Sequence, residues 1–383
     1  MLVVTACSGG GDGEQGGGEG ASGGGGGAAA VEIAIQPGDG ATDVATSGAL
    51  GVTAENGELT EVTVTDSEGG EVPGELAEDG TAWEPSEHLA NATEYTVTAA
   101  GRNAEGEEAT SSAGFTTVAA EATFTTGWNL SDGDEVGVGM ILSLTFDTPI
   151  EDTTAVRDAV EVTADSGQEV RGHWFGNQRL DFRPEEYWEA GTEVDVAFRL
   201  RGVEGAEGVY GTLREDLSFR VGRSQVTTVD ADTLEMEVVR DGEAIRTLPV
   251  TTGAAATPTW NGRMVITEKL VETRMDGATV GFGGEYDIPD VPHAMRLSTS
   301  GTFIHGNYWA GSGTFGNQNA SHGCVGLQDV RGAGDPSTPA AWFFDNSLIG
   351  DVVEVVNSDD DVIAPDNGLS GWNLSWEEWG AGQ

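Results

Sequence analysis

The sequence predicts a mainly β protein: two immunoglobulin-like β-sandwich domains, then a third β-rich domain and a short Trp-rich C-terminal segment. Three observations predict it. Short runs of alternating apolar and polar residues, separated by Gly, Asp and Asn turns, recur along the chain. One segment occurs twice, and the pattern changes after Arg223. At roughly 150 residues per domain, a chain of 383 residues has room for two or three domains.

The N-terminal residues 1–30 are predicted to be a tether. Residues 8–30 are almost wholly Gly with Ala, Ser, Asp and Glu, a composition that forms a flexible coil. Before them, Val4-Thr5-Ala6-Cys7 resembles a bacterial lipobox, which makes Cys7 a candidate lipid anchor. A complete signal needs about 7 to 15 apolar residues, more than precede this box, so the start is misassigned or trimmed. The alternative is a chance Ala-Cys pair in a disordered tail.

Two sandwiches are predicted over residues 31–119 and 120–222. The first contains alternating runs such as Tyr95, Val97 and Ala99. Residues 83–97 recur without gaps as residues 182–196, and each copy places an aromatic-x-Pro corner before an alternating strand. We interpret both domains as a spacer that raises a more distal site, and binding of glycan or protein remains the alternative.

The amino-acid composition limits the classes of partner that this protein is expected to bind. Acidic residues number 65 against 17 basic ones, for a formal charge of −48, which argues against nucleic acid. No run of about 18 apolar residues occurs, so membrane contact is expected only through a lipid anchor. The two cysteines, Cys7 and Cys324, lie in segments too different for a structural disulfide, and each needs its own explanation.

The third domain is predicted over residues 223–357. Leu234, Met236 and Val238 alternate with polar residues, and Asp241-Gly242 is a typical hairpin turn. A short helix through residues 342–344 is expected before a strand at 352–356. In the last segment, residues 358–383, we expect the tryptophans to pack back onto this domain rather than bind glycan; they are Trp372, Trp376 and Trp379.

Residues 301–327 hold the densest group of chemically competent side chains. A thiol with a pKa of about 8.5 is mostly protonated at neutral pH, so Cys324 needs an imidazole nearby to act as a nucleophile. His322 is too close in sequence to reach the sulfur, which leaves His305 as the general base. Gly323 permits a sharp turn that aims backbone N–H groups at a developing oxyanion. The alternative is a buried structural cysteine in a Gly-rich loop.

The residues His305-Gly306 and Ser321-His322-Gly323-Cys324 resemble the signature of the L,D-transpeptidase (YkuD-type) family. The order of segments along the chain is similar to that of actinobacterial members. The resemblance implies that Cys324 is acylated and that His305 is the base, oriented by the backbone carbonyl of Gly306. It also implies that His322 and Gly323 line the oxyanion side, while Ser321 supports the loop.

The resemblance further implies a flap over the site, with Tyr286 and Met275 facing the substrate. Trp309 is expected beside the base. Two departures stand out: Gly326 occupies a position where the family has Arg or Asn, and residues 328–339 form an insertion.

The implied activity is formation of 3→3 cross-links in peptidoglycan. Tetrapeptide stems are the expected donor and acceptor, and the terminal D-Ala is released. No metal or cofactor is expected, since nucleophile, base and oxyanion donors are all protein groups. Carbapenems are expected inhibitors, and the expected location is extracytoplasmic, membrane-anchored and facing the wall. An L,D-carboxypeptidase and a non-catalytic wall-binding lipoprotein remain alternatives.

Overall fold

A computed structural model describes residues 29–281 and 283–382. Cys7 and the proposed lipobox lie outside the described residues. Most regular structure in the described part consists of strands, so the mainly β prediction is confirmed. None of its helices is long and apolar enough to cross a membrane.

Sandwich 1 occupies residues 29–119, all of which are described. Its strands form two four-stranded sheets in the orders β1-β3-β6-β5 and β2-β8-β7-β4. Alternate strand residues such as Val52, Trp83 and Tyr95 face inward and are buried in one core. The strands are β1 (Glu32–Gln36), β2 (Ala41–Val44), β3 (Gly51–Glu55), β4 (Glu58–Asp66), β5 (Gly74–Leu76), β6 (Ala82–Pro85), β7 (Glu94–Arg102) and β8 (Glu108–Thr117).

Sandwich 2 occupies residues 120–222, which are also fully described. Two four-stranded sheets, β10-β12-β15-β14 and β11-β19-β16-β13, face each other beside a small sheet, β17-β18-β9. The repeated segment behaves alike in both sandwiches: each copy gives a strand ending at Pro85 or Pro184, a loop and a second strand. The elements are β9 (Ala122–Phe124), β10 (Thr126–Trp128), β11 (Asp134–Val136), β12 (Leu142–Phe146), α1 (Thr153–Asp158), β13 (Val160–Ala164), β14 (Val170–Phe175), β15 (Arg179–Pro184), β16 (Glu193–Arg199), β17 (Glu204–Ala206), β18 (Val209–Gly211) and β19 (Arg214–Val221).

The nine-stranded domain covers the described residues between 223 and 357, and its sheet runs β23-β28-β20-β21-β22-β27-β26-β25-β24. Asp241 and Gly242 both have positive φ, as a two-residue hairpin turn requires, so that prediction is confirmed. The helix α2 buries Phe343 against the core. The elements are β20 (Gln225–Asp230), β21 (Glu235–Arg240), β22 (Glu243–Thr251), β23 (Gly262–Val265), β24 (Glu268–Asp276), a 3-10 turn (Gly277–Val280), β25 (Asp287–Arg296), β26 (Phe303–Asn307), β27 (Val325–Gln328), α2 (Pro339–Asp345) and β28 (Val352–Val356).

The C-terminal segment, residues 358–382, contains a 3-10 turn (Gly371–Asn373) and helix α3 (Trp376–Ala381). Our expectation that its tryptophans pack on the third domain is wrong, because all three rings contact sandwich 2. The Trp372 ring lies 4.8 Å from that of Tyr187, and the Trp376 ring lies 4.5 Å from the Arg171 guanidinium. The Trp379 ring stacks on His173 at 4.7 Å between centroids. The Arg183 guanidinium lies 4.4 Å from the same ring. His173 on β14 is a stacking partner for the Trp379 ring, and the buried Arg183 on β15 is a cation–π partner. Both residues are far from Trp379 in sequence, so local patterns do not reveal them.

Candidate active site

The two chemically central side chains are placed by neighbouring strands. β26 and β27 pair in parallel, with Ile304 opposite Val325, and both of these residues are buried in the core. Successive side chains of an extended chain point to opposite faces. His305 on β26 and Cys324, immediately before β27, therefore face away from that core. Both line one cavity of about 160 Å³. The structure therefore brings together the predicted nucleophile and the predicted base.

The imidazole of His305 is held in one tautomer. Its Nδ1 lies 2.9 Å from the carbonyl oxygen of Gly306, which can only accept, so Nδ1 carries the hydrogen. The Nε2 atom is left with a lone pair. Burial lowers the pKa of His305, and the Gly306 hydrogen bond and the charge of Asp329 oppose that effect. His305 is therefore neutral near pH 7 and able to accept a proton.

The thiol of Cys324 is protonated in this environment. Burial raises its pKa to about 11, against the opposing effect of a hydrogen bond from the Phe303 backbone. The thiol donates to the carbonyl oxygen of Gly301, with Sγ 3.6 Å from that oxygen. A thiol in this state is a weak nucleophile, so its reactivity depends on proton transfer to a base.

The turn before the cysteine depends on glycine. Gly323 has a φ of 107°, in the region that other residues rarely adopt. Its N–H donates to Ser321 Oγ at 3.2 Å, and the Ser321 hydroxyl donates to the carbonyl of Cys324. Ser321 thus braces the turn from within. The N–H of Gly323 is engaged, so its predicted oxyanion role requires it to leave Ser321.

A hairpin covers the cavity, and we call it the flap: β24, the 3-10 turn and β25. Met275 and Tyr286 of the flap line the cavity, where the sequence resemblance placed them. The pKa of Tyr286 is raised to about 12, mainly by burial, so its phenol stays neutral. His322 stands at the rim, its ring 5.0 Å from that of Tyr286 and its Nε2 3.2 Å from a carboxylate oxygen of Glu285.

Trp309 also lines the cavity. Its ring is stacked on His305 at 5.6 Å between centroids and 19° between planes, and the residue is 45% exposed. Sequence reasoning missed Glu285, which contacts His322, and three residues that line the cavity. Asn307 could have been found, because it follows His305 by two positions on the same strand face. No sequence signal singled out the other two, Ile288 and Ala320.

Gly326 stands where the family has Arg or Asn, and a larger side chain there would collide with the neighbouring strand β22. A Cβ atom there would lie 2.7 Å from the Cγ2 atom of Thr251, which is buried. Any larger side chain at this position would therefore require Thr251 to move. The insertion, residues 328–339, includes Thr338, which caps α2 by accepting from the N–H of Ala341.

Comparisons with known proteins agree with this architecture. Residues 224–355 match the family described as L,D-transpeptidase catalytic domain, and residues 41–204 match a bacterial Ig domain. L,D-transpeptidase 2 of Mycobacterium tuberculosis is 34% identical over 350 residues, which cover 90% of this chain and 83% of that protein. L,D-transpeptidase 5 of the same species is 31% identical, over 91% of this chain and 76% of that protein.

Among solved structures, that of LD transpeptidase LdtMt1 in complex with imipenem superimposes with a TM-score of 0.51 at 26% sequence identity. The match covers 61% of this chain and 99% of that one. Sequence and fold thus agree along the catalytic part and much of the region before it. This chain belongs to the L,D-transpeptidase family.

Proposed function

We propose that this protein is a peptidoglycan L,D-transpeptidase that forms 3→3 cross-links, with Cys324 as nucleophile and His305 as base. One observation carries the proposal: His305 of β26 and Cys324, which immediately precedes the adjacent parallel strand β27, line one cavity. The carbonyl of Gly306 leaves Nε2 of His305 free to accept a proton. A structural cysteine needs no such base beside it.

In the proposed acylation the hydrogen bond from the Cys324 thiol to the carbonyl of Gly301 breaks, and the thiol transfers its proton to Nε2 of His305. The sulfur attacks the carbonyl carbon of the diamino acid in the donor stem, and a tetrahedral oxyanion forms. The N–H of Cys324 receives this oxyanion, together with that of Gly323 once it leaves Ser321. Collapse forms the thioester and breaks the bond to the terminal D-Ala, whose amine departs with the proton held by His305.

In the proposed second half-reaction the amine of an acceptor stem attacks the thioester. His305 takes a proton from that amine, the C–S bond breaks, and the thiol of Cys324 is restored. The acylated cavity must therefore admit an amine while limiting water, and we assign that duty to the flap residues Tyr286 and Met275 with Trp309. A site that admits water would act as an L,D-carboxypeptidase.

Acylation by a carbapenem tests the nucleophile. The similar structure of LdtMt1 is a complex with imipenem, a carbapenem. This supports meropenem, another carbapenem, as a probe of the present protein. Intact mass spectrometry should detect one covalent adduct on the wild type and none on Cys324→Ala. An adduct that persists in Cys324→Ala, or none on either protein, would remove Cys324 as the nucleophile and favour the non-catalytic wall-binding alternative.

Product analysis then separates the two reactions. Purified tetrapeptide muropeptides should yield cross-linked dimers with release of D-Ala. Abundant tripeptides without dimers would mean that water is the acceptor and that the protein is a carboxypeptidase.

We also propose that the protein is anchored outside the cytoplasm through a lipid on Cys7 and faces the wall. The lipobox resemblance at residues 4–7 and the Gly-rich tether support this location. Sandwiches 1 and 2 then serve as a spacer. The protein should be recovered in the membrane fraction and become soluble as Cys7→Ser, whereas equal recovery of both forms in the soluble fraction would contradict the anchor.

A further inference from the structure

A buried histidine–aspartate pair lies behind the strand that carries His305, and the proposed chemistry does not use it. His293 of β25 places Nδ1 2.7 Å from Oδ2 of Asp329, which follows β27. The two side chains are only 7% and 0% exposed. Burying a carboxylate is costly unless partners compensate it, so this pair needs an explanation.

The surroundings of Asp329 suit an ionised carboxylate. Its Oδ1 accepts from the Thr338 hydroxyl at 2.9 Å and from the backbone N–H of Val330 at 2.8 Å. Its Oδ2 lies 2.7 Å from Nδ1 of His293. The Thr338 hydroxyl and the Val330 N–H both donate to the carboxylate, which is the pattern expected of the anion.

The Asp329 carboxylate packs against Gly306, the residue whose carbonyl orients His305. A Cβ atom on Gly306 would lie only 2.0 Å from Oδ2 of Asp329, so no other residue fits there. The carbonyl of the same Gly306 holds Nδ1 of His305. Gly306 therefore lies between the buried carboxylate of Asp329 and the imidazole of His305. His293 has a φ of 47°, a conformation that a non-glycine residue adopts only when its surroundings hold it.

The other charged groups near this pair are engaged elsewhere. Lys269 on β24 lies over the Phe344 ring of α2 and donates to the carbonyl of Ser347. That Phe344 ring contacts His293 at 5.2 Å between centroids. Arg331, in the loop after Asp329, is exposed and pairs with Asp290 of β25. The negative charge of Asp329 opposes the lowering of the His305 pKa by burial.

We propose that Asp329, held by His293 and Thr338, is a positioning residue for His305. It fixes Gly306 so that the carbonyl keeps Nε2 of His305 free, and its charge stabilises the imidazolium formed when the thiol proton arrives. This role rests on the proposed function, because it matters only if His305 takes that proton. Asp329 itself touches no substrate.

The test is the rate of carbapenem acylation of Cys324 as a function of pH in the full-length chain. In Asp329→Asn the negative charge is gone, so the pKa of His305 falls further and the base weakens. The acid limb of the profile, where His305 becomes protonated, should move to lower pH, and the rate at neutral pH should fall about tenfold because the base is weaker. Asp329→Ser removes the same charge with a smaller side chain and should act alike.

Asp290→Asn is the matched control. It makes the same chemical change on β25, at a carboxylate that pairs with Arg331 and accepts from the Tyr308 hydroxyl, with no contact to Gly306. Its acid limb should coincide with that of the wild type. A shift as large as that of Asp329→Asn would mean that any nearby carboxylate acts alike, which would overturn the specific role of Asp329.

A folded Asp329→Asn or Asp329→Ser protein with the wild-type profile would reduce the pair to a structural feature. If neither folds by circular dichroism, two variants of His293 decide. His293→Gln keeps an N–H donor for Asp329 and should be acylated faster than His293→Leu, whereas equal rates would overturn the proposal. Failure of the wild type itself to be acylated would instead count against the proposed function.

Discussion

The protein contains two junctions between neighbouring domains, and they are built in different ways. Sandwich 1 meets sandwich 2 mainly through polar contacts. The Thr46 hydroxyl donates to the carbonyl of Gly202 at 2.7 Å. Glu87 pairs with Arg199 at 2.9 Å and with Arg214 at 2.7 Å. The hydrophobic cores of the two sandwiches form separate clusters.

Sandwich 2 meets the nine-stranded domain through a shared apolar core. Met140 of sandwich 2 belongs to the same buried cluster as Val265 and Val352 of the nine-stranded domain, and Trp379 of the C-terminal segment joins it. The backbones also approach closely, because a Cβ atom on Gly137 would lie 2.3 Å from the backbone nitrogen of Asp351. The C-terminal segment seals this junction.

This difference indicates where the protein behaves as one unit. Apolar burial is strong and non-directional, so domains that share a core unfold and move together. Polar contacts at a small junction are weaker and are screened by salt. We therefore expect sandwich 2, the catalytic domain and the C-terminal segment to act as one body, with sandwich 1 joined to it less firmly.

The largest effect is expected from Trp379→Ala. Removing a fully buried Trp side chain should lower the free energy of unfolding by about 3 to 5 kcal/mol. In urea unfolding followed by circular dichroism, acylation of Cys324 should be lost together with the β signal. Trp309→Ala removes an exposed Trp and should cost about 1 kcal/mol. Equal losses in the two variants would mean that the C-terminal segment does not seal the shared core.

A smaller effect is expected from Asp351→Asn at the same junction. The Asp351 carboxylate is fully buried, pairs with Arg223 at 2.8 Å and accepts from Gln225 at 3.1 Å. Breaking this ion pair, whose carboxylate is fully buried, should cost about 3 kcal/mol of unfolding free energy in the same urea experiment. The matched change Glu354→Gln breaks a partly exposed pair with Arg263 at 3.6 Å and should cost less than about 1 kcal/mol. A larger loss in Glu354→Gln would contradict this ranking.

The smallest effect on stability is expected from Glu87→Gln at the polar junction. The change should cost about 1 kcal/mol or less and leave the acylation rate of Cys324 unaltered. Small-angle X-ray scattering should show a wider spread of distances between sandwich 1 and the rest, as high salt should in the wild type. Glu58→Gln, which breaks an exposed pair with Arg102 inside sandwich 1, should leave the scattering unchanged. Slower acylation in Glu87→Gln would show that sandwich 1 is coupled to the active site.

Local sequence patterns predicted the regular elements well. The alternation at residues 234–238 and the Asp241-Gly242 pair correspond to strand β21 and its hairpin turn. The strand predicted at Val352–Val356 is present, as is the short helix around Phe343. These features depend on side-chain periodicity and on backbone conformations that neighbouring residues set, so the sequence carries them directly.

The sequence predicted the nucleophile and the base of the candidate site, but not all of the residues around them. Cys324 and His305 could be named, because few other residues in the chain can serve as nucleophile and base. Glu285 could not, because its contact with His322 spans 37 positions and depends on how the flap folds over. The assigned roles of Ser321, His322 and Gly323 remain predictions for the experiments above.

The sequence by itself determined the β architecture, the hairpin turns and the two reactive side chains, since these follow from periodicity and from the chemistry of single residues. Only the tertiary structure decided where Trp379 packs and that His293 meets Asp329 behind the base. Such contacts join residues 36 to 206 positions apart. They depend on strand register and on the packing of one sheet against another, and a local pattern of apolar and polar residues specifies neither.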